Sequence, residues 1–143
     1  MRAAPAALIL TLAACAAPAP PPAHETALRL AAGGLDVAGT GREIGFGRAP
    51  EGAVAAVSRL LGSAPDARRR DAGCETVRWA GGLELAFRDA AFSGWRAMPG
   101  ALPLRTAAGA APGGPPLSLP DGIEAAVAPD GSVAALSAGR PCP

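Results

Sequence analysis

The sequence predicts an α+β fold: one main helix packed on an antiparallel β-meander, with a C-terminal hairpin completing the sheet. Three observations carry this. Pro50–Leu61 (PEGAVAAVSRLL) places Ala53, Val54, Val57, Leu60 and Leu61 at spacings of three and four, the stripe of an amphipathic helix. Residues 75–98 hold three strand-like runs separated by turn signals. Residues 122–128 and 133–138 are two further runs around Pro129-Asp130-Gly131, whose residue types favour a tight turn.

The N-terminus comes first in chain order and determines the expected location. Arg2 precedes an apolar run, AALILTLAA at residues 6–14, too short to span a bilayer as a helix. Ala13 and Ala14 supply the small side chains that a peptidase acting on an extended chain requires. The run Leu12-Ala13-Ala14-Cys15 resembles the bacterial lipobox. That resemblance implies a diacylglycerol thioether on Cys15, cleavage before it and an acylated amine. Each buried methylene adds about 0.8 kcal/mol of membrane affinity, so two or three acyl chains anchor stably. The alternative is an ordinary signal peptide cut near Ala14. Ala16, where aspartate would mark inner-membrane retention, leans toward the outer membrane.

The expected division is therefore a signal peptide at 1–14, a lipidated cysteine with a Pro/Ala-rich tether at 15–32, and a single small α+β domain at 33–143. The tether, AAPAPPPAH from Ala16 to His24, is extended and semi-rigid at about 3.1 Å per residue. His24 is the only histidine and falls in it, as a solvated residue rather than a ligand.

Composition narrows the function classes. Every basic residue is arginine, and the formal charge of +1 falls to neutral once Arg2 is removed. Such a balance gives no support for a nucleic-acid partner. The chain has three cysteines. With Cys15 lipidated, Cys74 and Cys142 form an even pair, either a disulfide in an oxidising compartment or two free buried thiols.

Just ahead of the domain, residues 25–32 (ETALRLAA) fit either a short helix or an entry strand. LDVA at 35–38 alternates as a short strand, and Gly39-Thr40-Gly41 turns the chain. The helix follows, with Pro50 and Glu51 suited to its first turn, Arg59 to its last, and Gly62 to a left-handed cap. Residues 66–73 read as a polar loop. ETVRWA at 75–80 puts Val77 and Trp79 on one face, and Gly81-Gly82 signals a hairpin. Leu83–Arg88 alternates strictly, with Leu83, Leu85 and Phe87 inward and Glu84, Ala86 and Arg88 outward. After a weaker turn at Asp89-Ala90-Ala91, residues 92–98 (FSGWRAM) return. Residues 99–120 are rich in Pro and Gly, and 110–116 (AAPGGPP) read as a mobile loop. In the last hairpin Ile123, Ala125 and Val127 line one face.

Ile44-Gly45-Phe46-Gly47, then the helix, then Leu61-Gly62-Ser63-Ala64-Pro65, resembles the opening of small envelope lipoproteins of the BamE (SmpA/OmlA) type and of β-lactamase-inhibitor-protein-like domains. The resemblance covers roughly residues 35–98 and implies helical segments on an antiparallel sheet in a protein that binds other proteins. Residues from Arg105 onward read as a degenerate second copy without its helix.

No catalytic set is legible. A serine or cysteine nucleophile needs a base, and His24 is unavailable. Glu75 and Glu84 could face each other across the first hairpin, but read better as solvated outer-face residues. The glycines at 41–45 form no phosphate loop, and no βαβ unit surrounds them, so a dehydrogenase has no support. No cofactor is expected, and His and Cys show no metal-ligand spacing. Arg68-Arg69-Arg70 is a basic run whose field Asp66 and Asp71 largely cancel. Trp95, if it faces outward beside Arg96, is the natural anchor of a protein interface.

The resulting expectation is a lipid-anchored protein on the periplasmic face of the cell envelope, held in the membrane by its lipid. It would serve as a non-catalytic interaction or scaffold module for an envelope partner. The alternative is a small-ligand or cell-wall binding lipoprotein, with the 110–116 loop as a lid.

Overall fold

The computed structural model of the chain describes residues 28–143. The expected signal peptide, Cys15, His24 and most of the expected tether lie outside the described residues. The fold is α+β, with a single helix among the described residues. Strands β1 (Leu28–Ala31), β2 (Gly34–Val37) and β3 (Arg42–Gly45) form a small antiparallel sheet. Helix α1 (Pro50–Leu61) follows. Strands β4 (Ala67–Asp71), β5 (Cys74–Trp79), β6 (Leu83–Arg88), β7 (Ala91–Ala97), β8 (Ile123–Val127) and β9 (Val133–Gly139) build a six-stranded antiparallel sheet in the order β4-β5-β6-β7-β9-β8.

Residues 25–32, ambiguous in sequence, end in a strand. Leu28 and Leu30 of β1 are buried, so the folded body reaches into the stretch assigned to the tether. The helix has the expected bounds: Pro50 opens it, Glu51 and Arg59 suit its dipole, and Gly62 takes the left-handed cap at φ 68°. Its stripe of Ala53, Val54 and Val57 is buried. A twelve-residue helix is marginal alone in water, and α1 is held by packing on β1 and β7.

The meander is as expected and its inner face is the core. Val77, Trp79, Leu83, Leu85, Phe87, Trp95 and Ala97 join one hydrophobic cluster with Leu28, Leu30, Leu35 and Ile44 of the small sheet and with the helix. A fully buried indole must find an acceptor for its N–H. Trp79 Nε1 donates to Ser58 Oγ at 3.3 Å and to Ser63 O at 3.2 Å, both at the C-terminal end of α1. Trp95 Nε1 donates to Ala31 O of β1 at 2.9 Å. Each tryptophan thus bonds the element that covers it.

Three expectations are corrected. Residues 66–73 are not a loop: ARRRD is edge strand β4, paired with β5 from Ala67↔Arg78 to Asp71↔Cys74. An edge strand with little apolar burial shows no hydrophobic alternation, and its arginines discourage pairing with another chain. Residues 110–116 are tied down, since Gly113 N donates to Val133 O and Val133 N donates to Gly114 O, while Ala110 is fully buried. Upstream of them, Leu30 N donates to Arg105 O, which fastens the connection to β1. Finally, Val127 leaves the face it would share with Ile123. A register shift between Ala126 and Val127 leaves it 55% exposed while Ile123 is buried.

The last hairpin closes at Asp130, whose Oδ1 accepts from Ser132 N and Ser132 Oγ. The Ser132 hydroxyl and amide hold its carboxyl below the usual value.

The turn between β6 and β7 carries strain. Its two residues, Asp89 and Ala90, sit at φ 50° and 57°, the left-handed geometry of a tight hairpin in which glycine is favoured. An alanine there costs about 1–2 kcal/mol. Ala90→Gly is therefore expected to raise stability by about 0.5–1 kcal/mol, after the added chain entropy of glycine is subtracted. Thermal melting should show Tm higher by a few degrees, and an unchanged or lower Tm would refute the turn geometry.

Candidate functional site

Among the described residues, the outer face of the large sheet lacks the layer that covers the inner one. What crosses it is the C-terminal tail, residues 140–143. A disulfide joins Cys142 in this tail to Cys74 at the start of β5, 68 residues apart in sequence. Of the two readings of this cysteine pair, the disulfide is the one present, and it is not needed to join the two hairpins. Those hairpins already share a sheet, because β9 pairs with β7 from Gly94↔Gly139 to Ala97↔Leu136. The disulfide instead straps the tail back across the outer face.

Polar contacts fasten the strap along its length. Arg140 N donates to Ser93 O at 2.7 Å, and Ser93 Oγ donates to Arg140 O at 3.1 Å. Arg96 Nη2 donates to Cys142 O at 3.3 Å, and a longer contact of 3.5 Å joins Arg88 Nη2 to Pro141 O. Three successive tail carbonyls therefore each accept from the sheet. Pro141 and Pro143 have no N–H to satisfy, which suits a segment lying outside any ladder. The tail passes so close to Gly94 that a Cβ there would sit 2.5 Å from Pro141 N and 2.6 Å from Arg140 C. It also covers the region of Ala86, which points outward as expected yet is buried.

Beside this strap lies a cleft of about 460 Å³, within the usual size of small-ligand sites. Register explains its shape. One cross-strand row runs Arg69, Thr76, Ala86, Gly94, and its small central residues leave a depression. The row on one side holds Arg78, Glu84 and Arg96, and the row on the other holds Asp71, Cys74 and Arg88. Four arginines and two carboxylates line the cleft, a side-chain surplus of two positive charges. Glu84 pairs with Arg96 at 3.8 Å, and Asp71 with Arg69 at 3.8 Å. No acidic partner lies within ion-pair distance of Arg78 or Arg88 among the described residues, and Arg88 Nε is buried with no acceptor.

Sequence reasoning grouped these residues differently. Trp95 and Arg96 are adjacent in β7 and so point to opposite faces. Trp95 is fully buried with its N–H used, and is not an exposed anchor, whereas Arg96 lines the cleft. Glu75 and Glu84 do not meet: Glu75 stands opposite Phe87, and Glu84 opposite Arg78. Glu75 pairs instead with Arg70 at 2.9 Å and Arg68 at 3.6 Å. The arginine triplet is thus divided by strand alternation, with Arg69 alone on the cleft side. Among the described residues no group of three His, Cys, Asp or Glu could hold a metal ion.

The close approach at Gly94 yields a coupled prediction. Gly94→Ala should cost about 1–3 kcal/mol, because backbone rather than a flexible side chain must yield. Cys142→Ser should cost about 2–5 kcal/mol by releasing the strap. In the double variant the Gly94→Ala penalty should largely vanish, since the freed tail can move away. A denaturant-unfolding double-mutant cycle reads this coupling, and additive losses would refute it.

No family model, curated protein or solved structure matches this chain.

Proposed function

We propose that the chain is a lipid-anchored protein on the periplasmic face of the cell envelope, at the outer membrane, whose domain is a non-catalytic interaction module for an envelope partner. The observation that carries this reading is the fate of the cysteines. The chain has three, and Cys74 and Cys142 are joined to each other. Cys15, placed behind the apolar run and Ala13-Ala14, is left for the lipid. A disulfide closing most of the domain also suits an oxidising compartment outside the cytoplasm. The likeness of residues 35–98 to BamE-type domains belongs to the same proposal, as does a protein partner.

The non-catalytic part of the reading rests on the available chemistry. The sole histidine, His24, lies in the expected tether. Glu75 and Glu84, the one candidate carboxylate pair, stand on opposite faces of the sheet. A second reading, a lipoprotein that binds a small ligand or cell-wall material, is favoured by the arginine-lined cleft. The 110–116 loop is not its lid, being hydrogen-bonded to the start of β9.

Intact mass of the membrane-extracted protein tests the anchor. The expected product begins at Cys15, carries a diacylglyceryl group and an amide-linked acyl chain, and lacks the hydrogens lost at the Cys74–Cys142 bond. Cys15→Ser should accumulate as precursor and lose the acyl mass. Recovery of the full uncleaved, unmodified chain from the membrane would overturn the proposal.

A further inference from the structure

We propose that the cleft beside the C-terminal strap binds a small soluble polyanion, a molecule carrying two or more carboxylate or phosphate groups. This rests on the second, ligand-binding reading given above and names the ligand's chemistry. The guanidinium group is planar, permanently charged and shaped for bidentate contact with such oxyanions. The cleft gathers four of them on adjacent strands, and its two carboxylates engage only Arg69 and Arg96.

Arg88 gives the most specific indication. Its Nε is a buried donor without an acceptor, a state that costs free energy and is rare in folded proteins. Its one hydrogen bond among the described residues is the 3.5 Å contact from Nη2 to Pro141 O. Arg88 lines the cleft, so its guanidinium, held by that one long contact, can turn to an oxyanion there. Arg78, on the opposite wall, has no ion-pair partner among the described residues and can engage a second anionic group. Two unpaired cations on opposite sides of a floor of Thr76 and Ala86 favour a ligand with separated charges over a single monovalent ion.

A larger anionic surface fits less well. The strap roofs part of the floor, which leaves Ala86 only 3% exposed, and the cleft has the volume of a small molecule.

The test is calorimetric titration of the full chain in neutral detergent with citrate and with inorganic pyrophosphate, at near-physiological salt. Binding of at least one probe is expected. Arg78→Gln should weaken it by about tenfold or more, since the variant loses a charge-assisted contact. Arg88→Gln should weaken it similarly, with circular dichroism and the intact disulfide mass confirming its fold. Arg29→Gln, an exposed change on β1 away from the cleft, should leave affinity within about twofold. No binding of either probe at about 10 mM, roughly ten times a weak millimolar Kd, would overturn the proposal. Equal weakening by Arg29→Gln and Arg78→Gln would do so too, because it would mark diffuse attraction. Either failure leaves the anchor assignment untouched. An unacylated chain that still binds the probes would sink only the anchor.

Discussion

Two indole N–H groups organise the domain. A sheet with one apolar face must be covered, and apolar burial alone does not say by what. Trp79 and Trp95 settle that locally, because each brings a polar hydrogen into a dry interior where an unpaired donor is costly. Trp79 is answered by Ser58 and the carbonyl of Ser63 at the end of the helix, and Trp95 by the carbonyl of Ala31 in the small sheet. The covering layer therefore has two parts, each located by a directional bond. Leu28, Leu30, Leu35, Ala53, Val54 and Val57 fill the space between those fixed points.

The opposite face follows a different logic. It is polar because it faces solvent, and it is concave because small residues share one cross-strand row. What shapes it further is a tail with no ladder of its own, held by a disulfide, three carbonyl contacts and the missing side chain of Gly94. The chain-entropy model assigns about 4 kcal/mol to a cross-link closing a loop of this length. The strap therefore contributes to stability and forms the rim of the cleft. One covalent bond links how firmly the domain is held to whether its candidate site keeps its shape.

Charge placement on the sheet shows the same coupling between alternation and role. Arg68 and Arg70 pair with Glu75 on the inner side of the edge strand, while Arg69 lies on the cleft side. Side-chain alternation converts a compact basic run into two unrelated surfaces. Net charge concealed this, because a near-neutral total hides a local surplus in which Arg78 and Arg88 lack acidic partners among the described residues.

The sequence by itself determined the elements whose evidence is local. The helical stripe and its flanking Pro and Gly gave α1, strict alternation gave β6, and the Gly81-Gly82 signal placed the turn before it. The even count of remaining cysteines pointed to Cys74 and Cys142. These features depend on neighbours within a few residues, where periodicity and turn chemistry act. Only the tertiary structure decided that ARRRD is a strand, that Trp95 is core and Arg96 surface, and that the proline-rich connection is pinned to β1 and β9. It alone decided that four arginines from separate strands converge beside the tail. Each of those outcomes depends on register and on which face another segment covers. Pairing between residues tens of positions apart sets both, and composition or period along one stretch of chain carries no record of it.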